Sequence, residues 1–258
     1  MYKKKSLGQH FLHNRHYLKM VADAASIKKG EAVLEIGPGE GALTEKLLGY
    51  RCKVIAIEKD SRLIPILQEK FKKEIESGQL TLVEKDALEF EPSDYSLQPN
   101  TYKLIGNIPY YITGALFKKF LSGKVQPQTL VFLIQKEVAE RIARSTKESI
   151  LSLSIKAYGT PKYIKTVPAG AFAPPPKVDS TILLVSSISR KNFKNAAHEA
   201  RFFELLRAGF AQKRKLLANN VKKLLGPDYS AILQNTRIDP KARAEDVPLA
   251  AWLALSRT

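Results

Sequence analysis

The chain has 258 residues, 44% of them hydrophobic, which is enough for one large packed domain or for a large domain with a small one. Its formal net charge is +17, with seven Lys or Arg against one acid in residues 1–30 and thirteen against six in residues 191–258. This excess favours a polyanion, with nucleic acid or an anionic membrane as candidates, and we expect a nucleic-acid partner rather than a merely soluble basic protein. No apolar run approaches the ~20 residues that span a bilayer, no signal region follows the N-terminal charges, and one cysteine provides no disulfide framework or thiolate cluster. We therefore expect a cytoplasmic monomer without a membrane anchor or a bound metal.

Strands and helices are predicted to alternate through most of the chain, which is typical of an α/β fold. A basic arm, residues 1–13, precedes a helix that begins at Arg15 and ends near Ile27. Buried strands are expected at 32–36, 53–57, 80–83, 102–105 and 129–134. Residues 150–158 alternate like a strand but also suit a helix, and 162–167 and 178–187 are expected to pair antiparallel at the sheet edge. From Glu199 the apolar spacing is helical, so we divide the chain into an α/β domain, 1–190, and a small helical domain, 191–258.

The first informative stretch is a glycine turn after the first buried strand. Gly37, Gly39 and Gly41 stand at alternate positions, where they let the backbone approach a ligand, and the helix that follows presents unpaired N–H groups. Glu58 ends the next strand, at about the 20-residue spacing where an acid binds ribose hydroxyls in dinucleotide folds. Asp86 ends the third strand at the same sheet edge and is a candidate to accept hydrogen bonds from an adenine ring. An ordinary tight turn is the alternative for the glycines, and a surface-loop aspartate for Asp86.

The second informative stretch follows the fourth strand and reads Asn107-Ile108-Pro109-Tyr110. An exocyclic amine of adenine is a poor nucleophile because its lone pair is delocalised into the ring, so a catalyst must hold the nitrogen toward a pyramidal geometry. The Asn107 oxygen and a backbone carbonyl near Ile108 can accept both N–H hydrogens and aim the lone pair at a methyl donor. Pro109 stiffens the turn, and Tyr110 offers a face on which the base stacks. This chemistry needs neither a metal nor a general base of unusual pKa.

Two later features are candidates for contacts with nucleic acid. Phe172 precedes three consecutive prolines and is either a core anchor or an exposed stacking face; beside Tyr110 we favour the stacking role. A basic helical face further on suits an RNA backbone, although a solvated surface has the same composition. Its side chains are Lys213, Arg214, Lys215, Lys222 and Lys223.

Together these motifs resemble those of the ribosomal RNA adenine dimethyltransferases, most closely the bacterial small-subunit enzymes. The stretch from Glu35 to Thr44 is similar to the Glu-x-Gly-x-Gly-x-Gly loop of class I methyltransferases, which makes a NAD enzyme the less favoured interpretation. The resemblance extends in order over nearly the whole chain. Its other segments are Gly8–Leu12, Glu58, Asp86-Ala87, Asn107–Tyr110, Gln135–Arg141, Phe172–Ser180 and Phe210–Asn220.

The resemblance implies a Rossmann-like class I methyltransferase sheet with helices on both faces, and S-adenosylmethionine as cofactor. It implies dimethylation of the N6 atoms of two adjacent adenosines in the 3′-terminal hairpin loop of small-subunit (16S) rRNA, during biogenesis of the small subunit. Tyr110 and Phe172 match the aromatic positions that sandwich the flipped adenine. The implied cofactor site is lined by His10, Leu12, Gly37, Gly39, Glu58, Asp86, Ala87 and Asn107. The family's arm usually has Asn where this chain has His10, which can still hydrogen-bond the cofactor.

Two alternatives have the same motifs in part. A large-subunit rRNA adenine N6-methyltransferase, which confers macrolide resistance, shares the Asn-Ile-Pro-Tyr loop; the arm and residues 210–220 favour the small-subunit enzyme. A ribosome-assembly or transcription factor with dispensable methyl transfer shares the fold. Intact Asn107 and Tyr110 favour an active enzyme over such a binding protein.

Overall fold

The computed structural model of the chain describes residues 10–258. Within these residues the strands are β1 (Phe11–Leu12), β2 (Ala32–Ile36), β3 (Lys53–Glu58), β4 (Leu80–Glu84), β5 (Tyr102–Asn107), β6 (Thr129–Gln135), β7 (Thr160–Val167), β8 (Phe172–Ala173) and β9 (Ser180–Ser186). The helices are α1 (Arg15–Ala24), α2 (Ala42–Leu48), α3 (Ile64–Lys70), α4 (Lys72–Glu76), α5 (Thr113–Ser122), α6 (Lys136–Ala143), α7 (Ile150–Tyr158), α8 (Ala196–Gly209), α9 (Leu217–Leu225), α10 (Tyr229–Asn235) and α11 (Leu249–Leu255). The fold is therefore mixed α/β, as the sequence predicts.

Seven strands form one sheet in the order β4-β3-β2-β5-β6-β9-β7, and β1 pairs with β8 in a separate antiparallel ribbon. The first five strands of that order are parallel, whereas β9 and β7 run antiparallel at one edge, as predicted for residues 162–167 and 178–187. The strand order reverses at β2, which has β3 on one side and β5 on the other. A crevice at the carboxyl ends of the strands beside such a reversal is where open α/β sheets bind ligands.

An apolar core packs helices α1 and α2 against one face of the sheet. Leu18 and Val21 of α1 and Leu47 of α2 are buried in the same apolar cluster as Val33 of β2 and Ile105 of β5. Because alternate strand residues face the same side, this packing fixes which strand side chains are buried beneath the helices. The short arm strand β1 is part of the same cluster through Leu12.

Several element boundaries differ from the sequence expectations. Helix α1 ends at Ala24 rather than near Ile27, because Ser26 takes a left-handed conformation with φ of 50°. The helix expected after Asp60 begins at Ile64, so its proline lies in the first turn, where proline is tolerated. Residues 150–158 form a helix, whose start is fixed by reciprocal hydrogen bonds between Ser149 and Ser152.

The chain divides into two compact units, which differ from the predicted domains in one segment. The first unit ends at Ala139 and resumes over Thr160–Ile188; the second comprises Glu140–Gly159 and Ser189–Thr258. The break after 188 is close to the predicted boundary after 190. Helix α7, which we assigned to the α/β domain, belongs instead to the helical unit, where Tyr158 donates a hydrogen bond to the Glu199 carboxylate.

Candidate functional site

The glycine turn and Glu58 form one wall of a cavity at the carboxyl edge of the sheet. Gly37 and Gly39 both take left-handed conformations, with φ of 68° and 60°. The carboxyl group of Glu58 is nearly buried and accepts hydrogen bonds from the N–H groups of Gly39 (3.1 Å) and Asp60 (2.8 Å). Burial raises the pKa of Glu58 above its ordinary value, and these two hydrogen bonds offset only part of that effect. The glycine turn and Glu58, which were predicted to act together, are thus joined by a hydrogen bond.

Asp86 and Ala87 lie on the next part of the wall. One Asp86 oxygen accepts from the N–H of Leu88 (2.9 Å), and the other forms an ion pair with Lys59 (2.6 Å). Partial burial alone raises the pKa of Asp86, but the Lys59 ion pair and the Leu88 N–H outweigh it and hold the pKa below its ordinary value. Asp86 is therefore a stably charged acceptor at the cavity rim.

Asn107 ends β5 and is held by the N-terminal arm. Its side-chain Nδ2 donates to the backbone carbonyl of His10 at 2.8 Å. The donor side of the carboxamide is thereby engaged, and its oxygen has no hydrogen-bond partner among residues 10–258, so it remains available as an acceptor. This is the orientation that the proposed grip on an amine requires.

Tyr110 stands beside Asn107 and is fixed by a residue of the last strand. Its hydroxyl and the hydroxyl of the buried Ser180 are 2.7 Å apart, in a hydrogen bond. Burial raises the pKa of the Tyr110 phenol, and the Ser180 hydroxyl opposes this rise. The phenol is therefore neutral near pH 7 and its ring is held in one orientation.

The cavity between these residues has a volume of about 270 Å³. It brings together eight predicted residues: His10, Gly37, Gly39, Glu58, Asp86, Ala87, Asn107 and Tyr110. It also includes Phe11, Lys59 and Tyr111, which the sequence analysis missed. Tyr111 is 67% exposed, and its position directly after the Asn-Ile-Pro-Tyr loop was the only available signal.

Leu12, a predicted cofactor contact, and Phe172, a predicted stacking face, are not among the residues that line this cavity. The backbones of these two residues pair in the β1–β8 ribbon, and both side chains pack in the apolar core at 4% exposure. The structure therefore corrects the expectation of an exposed Phe172 face, because strand pairing turns the ring inward. Whether either residue contacts a ligand stays a prediction.

Glu35, the first acid of the glycine motif, is buried beneath the turn rather than on the cavity wall. Neither carboxyl oxygen has a hydrogen-bond partner among the described residues. Complete burial raises the pKa of Glu35 to about 8, an effect that the charge of Glu58 adds to and the nearby Thr44 hydroxyl opposes. The group is therefore mostly protonated at pH 7, and its contribution is to the packing under the turn.

The five basic side chains predicted to bind RNA are all exposed in the second unit. Lys213, Arg214 and Lys215 lie in the turn between α8 and α9, while Lys222 and Lys223 are on α9. None of them forms an ion pair with another residue of the range 10–258. Asn220 donates to the carbonyls of Gly209 (2.6 Å) and Gln212 (3.2 Å) and so fixes the turn that carries the first three.

Residues 10–258 contain neither a membrane-spanning helix nor a cluster of metal ligands. No helix in this range has the length and apolar character needed to traverse a bilayer. No group of three or more His, Cys, Asp or Glu side chains in the same range is arranged to hold a metal ion.

Comparison with known proteins identifies the family. A family model described as ribosomal RNA adenine dimethylase matches residues 1–258. The chain belongs to the ribosomal RNA adenine dimethylase family. This adenine dimethylase is 41% identical, over 256 residues, to Ribosomal RNA small subunit methyltransferase A of Dehalococcoides mccartyi (strain CBDB1), a match that covers 98% of this chain and 87% of the relative. A relative of the same name from Clostridium botulinum (strain ATCC 19397 / Type A) is 36% identical over 257 residues, 98% of this chain and 92% of the relative.

Solved structures place the adenine dimethylase among rRNA methyltransferases. The crystal structure of 23S rRNA methyltransferase ErmE superposes with a TM-score of 0.77 at 25% identity and covers 96% of this chain and 98% of that chain. A dimethyladenosine transferase from Plasmodium falciparum also gives 0.77, at 28% identity, and covers 95% and 96%. The predicted family and the class I methyltransferase fold are confirmed. The chain is an S-adenosylmethionine-dependent rRNA adenine dimethyltransferase.

Proposed function

We propose that this enzyme dimethylates the N6 atoms of two adjacent adenosines in the 3′-terminal hairpin loop of small-subunit rRNA, acting on the immature small subunit. The observation that carries the proposal is the Asn107 carboxamide, which donates to the arm through Nδ2 and whose oxygen has no hydrogen-bond partner among residues 10–258, at the wall of the cavity. The relatives described above are named as small-subunit rRNA methyltransferases, which supports this substrate over others.

The cavity residues fit S-adenosylmethionine, which supplies an activated methyl group when bound. The carboxyl group of Glu58 already holds two N–H donors and is placed to accept from ribose hydroxyls, and Asp86 is a charged acceptor suited to the adenine amine. A Cβ at Gly37 would have only the Asn107 carbonyl oxygen nearby, at 3.6 Å, so this glycine leaves room for a close backbone approach, whereas the corresponding space at Gly39 holds the Phe11 ring. The proposed cofactor contacts are His10, Leu12, Gly37, Gly39, Glu58, Asp86, Ala87 and Asn107.

The same residues account for the chemistry at the target base. The Asn107 oxygen accepts one N6 hydrogen and the Ile108 carbonyl accepts the other, so the nitrogen lone pair is directed at the methyl group. The bound cofactor would supply the electrophilic methyl group, and the Asn107 oxygen and the Ile108 carbonyl would hold the attacking N6 until its displaced proton passes to water. Tyr110 provides a stacking face for the flipped base, held in place by Ser180. Repetition with the remaining N6 hydrogen gives the dimethylated base.

The second unit supplies the proposed RNA contact. Lys213, Arg214, Lys215, Lys222 and Lys223 are exposed and unpaired among the described residues, so their charges are available to phosphates. We propose that the enzyme acts as a monomer. Since small subunits assemble in the bacterial cytoplasm, we expect the enzyme there.

The large-subunit alternative is supported only by the structural similarity to the 23S rRNA methyltransferase, at a lower identity than the small-subunit relatives. A methylation assay separates the two. Purified immature small subunits and free large-subunit rRNA are incubated with enzyme and cofactor, and modified adenosines are mapped by primer extension. We expect two adjacent stops in the 3′-terminal hairpin of the small subunit; stops only in large-subunit rRNA would overturn the proposal.

A further inference from the structure

The carboxamide of Asn107 can turn either end towards the cavity, and only one end suits the target amine. Its oxygen accepts an N–H, whereas its NH2 group would oppose the hydrogens of N6. The carbonyl oxygen of His10 lies 2.8 Å from Nδ2. Because a carbonyl only accepts, the reversed carboxamide would bring two oxygens together at this place. The His10 carbonyl therefore decides which end of the carboxamide is left for the substrate.

The His10 carbonyl lies just outside the paired residues of the β1–β8 ribbon. Strand β1 begins at Phe11, which pairs with Ala173, so His10 precedes the pairing. The imidazole supplies a link of its own, since Nδ1 is 2.8 Å from the carbonyl oxygen of Pro174, the residue that follows β8. That oxygen only accepts, so Nδ1 carries the hydrogen and donates it. The side chain thus fastens His10 to the proline-rich segment.

The residues that follow His10 in the arm are anchored without its side chain. The backbone N–H of His13 donates to the Ala171 carbonyl at 3.2 Å. Leu12 is 4% exposed and packs in the apolar core. Removing the imidazole of His10 should therefore release the His10 carbonyl while the rest of the arm stays docked.

We propose that His10 is a positioning residue for methyl transfer: its imidazole, bound to Pro174, holds its own carbonyl against Asn107 Nδ2 and so keeps the carboxamide oxygen towards the target amine. This role differs from the cofactor contact that the family resemblance implies for His10, because it sets the rate of transfer when the cofactor is already bound. It rests on the proposed grip of Asn107 on the adenine amine. Losing one such hydrogen bond corresponds to a fall of about three- to tenfold in that rate.

The test compares two substitutions of His10 with a matched control. His10→Leu keeps much of the bulk and removes the donor, whereas His10→Asn keeps a donor nitrogen bonded to Cγ, as Nδ1 is in histidine. His13→Leu is the control, because His13 is an exposed residue of the same arm and its bond to Ala171 comes from the backbone. His10→Leu is also combined with Asn107→Ala.

Two readouts separate positioning from a general loss of structure. The first is single-turnover methyl transfer to immature small subunits at saturating S-adenosylmethionine. The second is hydrogen exchange of the isotope-labelled Asn107 side-chain amide, followed by NMR without RNA. His10→Leu should slow transfer and speed exchange, each by about three- to tenfold, while His10→Asn and His13→Leu should stay within about twofold of wild type. His10→Leu should cause no further loss of transfer in the Asn107→Ala enzyme, because it acts through that carboxamide.

Three results would overturn the assignment of His10. These are a transfer rate of His10→Leu equal to that of His13→Leu, amide exchange at Asn107 that His10→Leu leaves unchanged, and losses that multiply when His10→Leu and Asn107→Ala are combined. Failure of the proposed function is distinguishable, since the wild-type enzyme would then methylate no hairpin adenosine, whereas the amide exchange would still report the bond between His10 and Asn107.

Discussion

The substitution Gly39→Ala tests whether the glycine turn and the arm together shape the cofactor site. Gly39 has φ of 60°, and a Cβ built there lies 2.6 Å from Cε1 and 2.7 Å from Cδ1 of Phe11. Gly78 is a matched control because it has φ of 72° and nothing within 4 Å of a Cβ. The two substitutions share the left-handed strain but differ in the clash.

The expected magnitudes follow from these contacts. Left-handed strain costs both variants about 1–2 kcal/mol of unfolding free energy. Overpacking against Phe11 adds about 1–3 kcal/mol for Gly39→Ala alone. Because Phe11 lines the cavity, its displacement should also raise cofactor Kd by about tenfold or more in Gly39→Ala. Gly78→Ala should bind the cofactor like wild type.

Urea unfolding and calorimetric titration with S-adenosylmethionine provide the two measurements. A second change, Phe11→Leu, shortens the ring that is in the way and should recover part of the affinity lost in Gly39→Ala. Equal stability and equal cofactor Kd in Gly39→Ala and Gly78→Ala would refute a role of the Phe11 clash.

Ser180→Ala should reduce methyl-transfer efficiency about three- to tenfold, which corresponds to the loss of about one hydrogen bond to Tyr110. The pKa of Tyr110 should rise further in an ultraviolet titration, and an unchanged titration would contradict the role of Ser180 in positioning the Tyr110 ring. Reversing the three charges of Lys213–Lys215 should flatten the slope of the logarithm of the RNA-binding constant against the logarithm of salt concentration by about two. Reversal of the exposed pair Lys72–Lys73 is the control, and equal slopes for the two variants would count against an RNA contact at Lys213–Lys215. Burial raises the pKa of Glu35 from its ordinary value of 4.5 to about 8 in the folded chain. As pH rises between these two values, Glu35 loses its proton in the unfolded chain but keeps it in the folded chain, so the folded state of the wild type becomes less stable. Glu35→Gln should therefore gain stability relative to wild type by up to about 4 kcal/mol between pH 5 and 8 in urea unfolding, and a pH-independent difference would show that Glu35 is not buried as a neutral acid.

The placement of candidate site residues at strand ends was predictable from the sequence because it depends on local geometry. Glu58, Asp86 and Asn107 each follow a recognisable buried strand, and parallel strands bring their carboxyl ends to one edge. The glycine turn that joins β2 to α2 follows from spacing within a few residues. These features depend on periodicity rather than on distant packing.

The arm contacts were not predictable in the same way. Phe172 pairs with Leu12, which is 160 residues earlier, and that pairing decides whether the ring is buried or exposed. Phe11 over Gly39 and Ser180 against Tyr110 likewise join distant parts of the chain. Composition and spacing carry no information on such pairs.

In helix α7 the alternating apolar residues, which favour a strand, are outweighed by a helix cap at the start of the segment. Its alternating apolar residues suit a strand, but the mutual hydrogen bonds of Ser149 and Ser152 cap a helix, and its burial in the second unit favours that conformation. The predicted domain boundary missed this segment because chain order does not report which unit a helix packs in.

The most direct test of the account is the effect of Asn107→Ala on cofactor binding and methyl transfer measured in parallel. Losing one positioned polar group predicts a 10²- to 10³-fold fall in single-turnover transfer to the small subunit, with S-adenosylmethionine Kd changed by no more than about threefold. Asn107→Asp keeps an oxygen but loses the Nδ2 donor to the His10 carbonyl, so it should also be impaired. Wild-type transfer rates in Asn107→Ala, or a loss that saturating cofactor fully restores, would contradict the claim that this carboxamide holds the target amine.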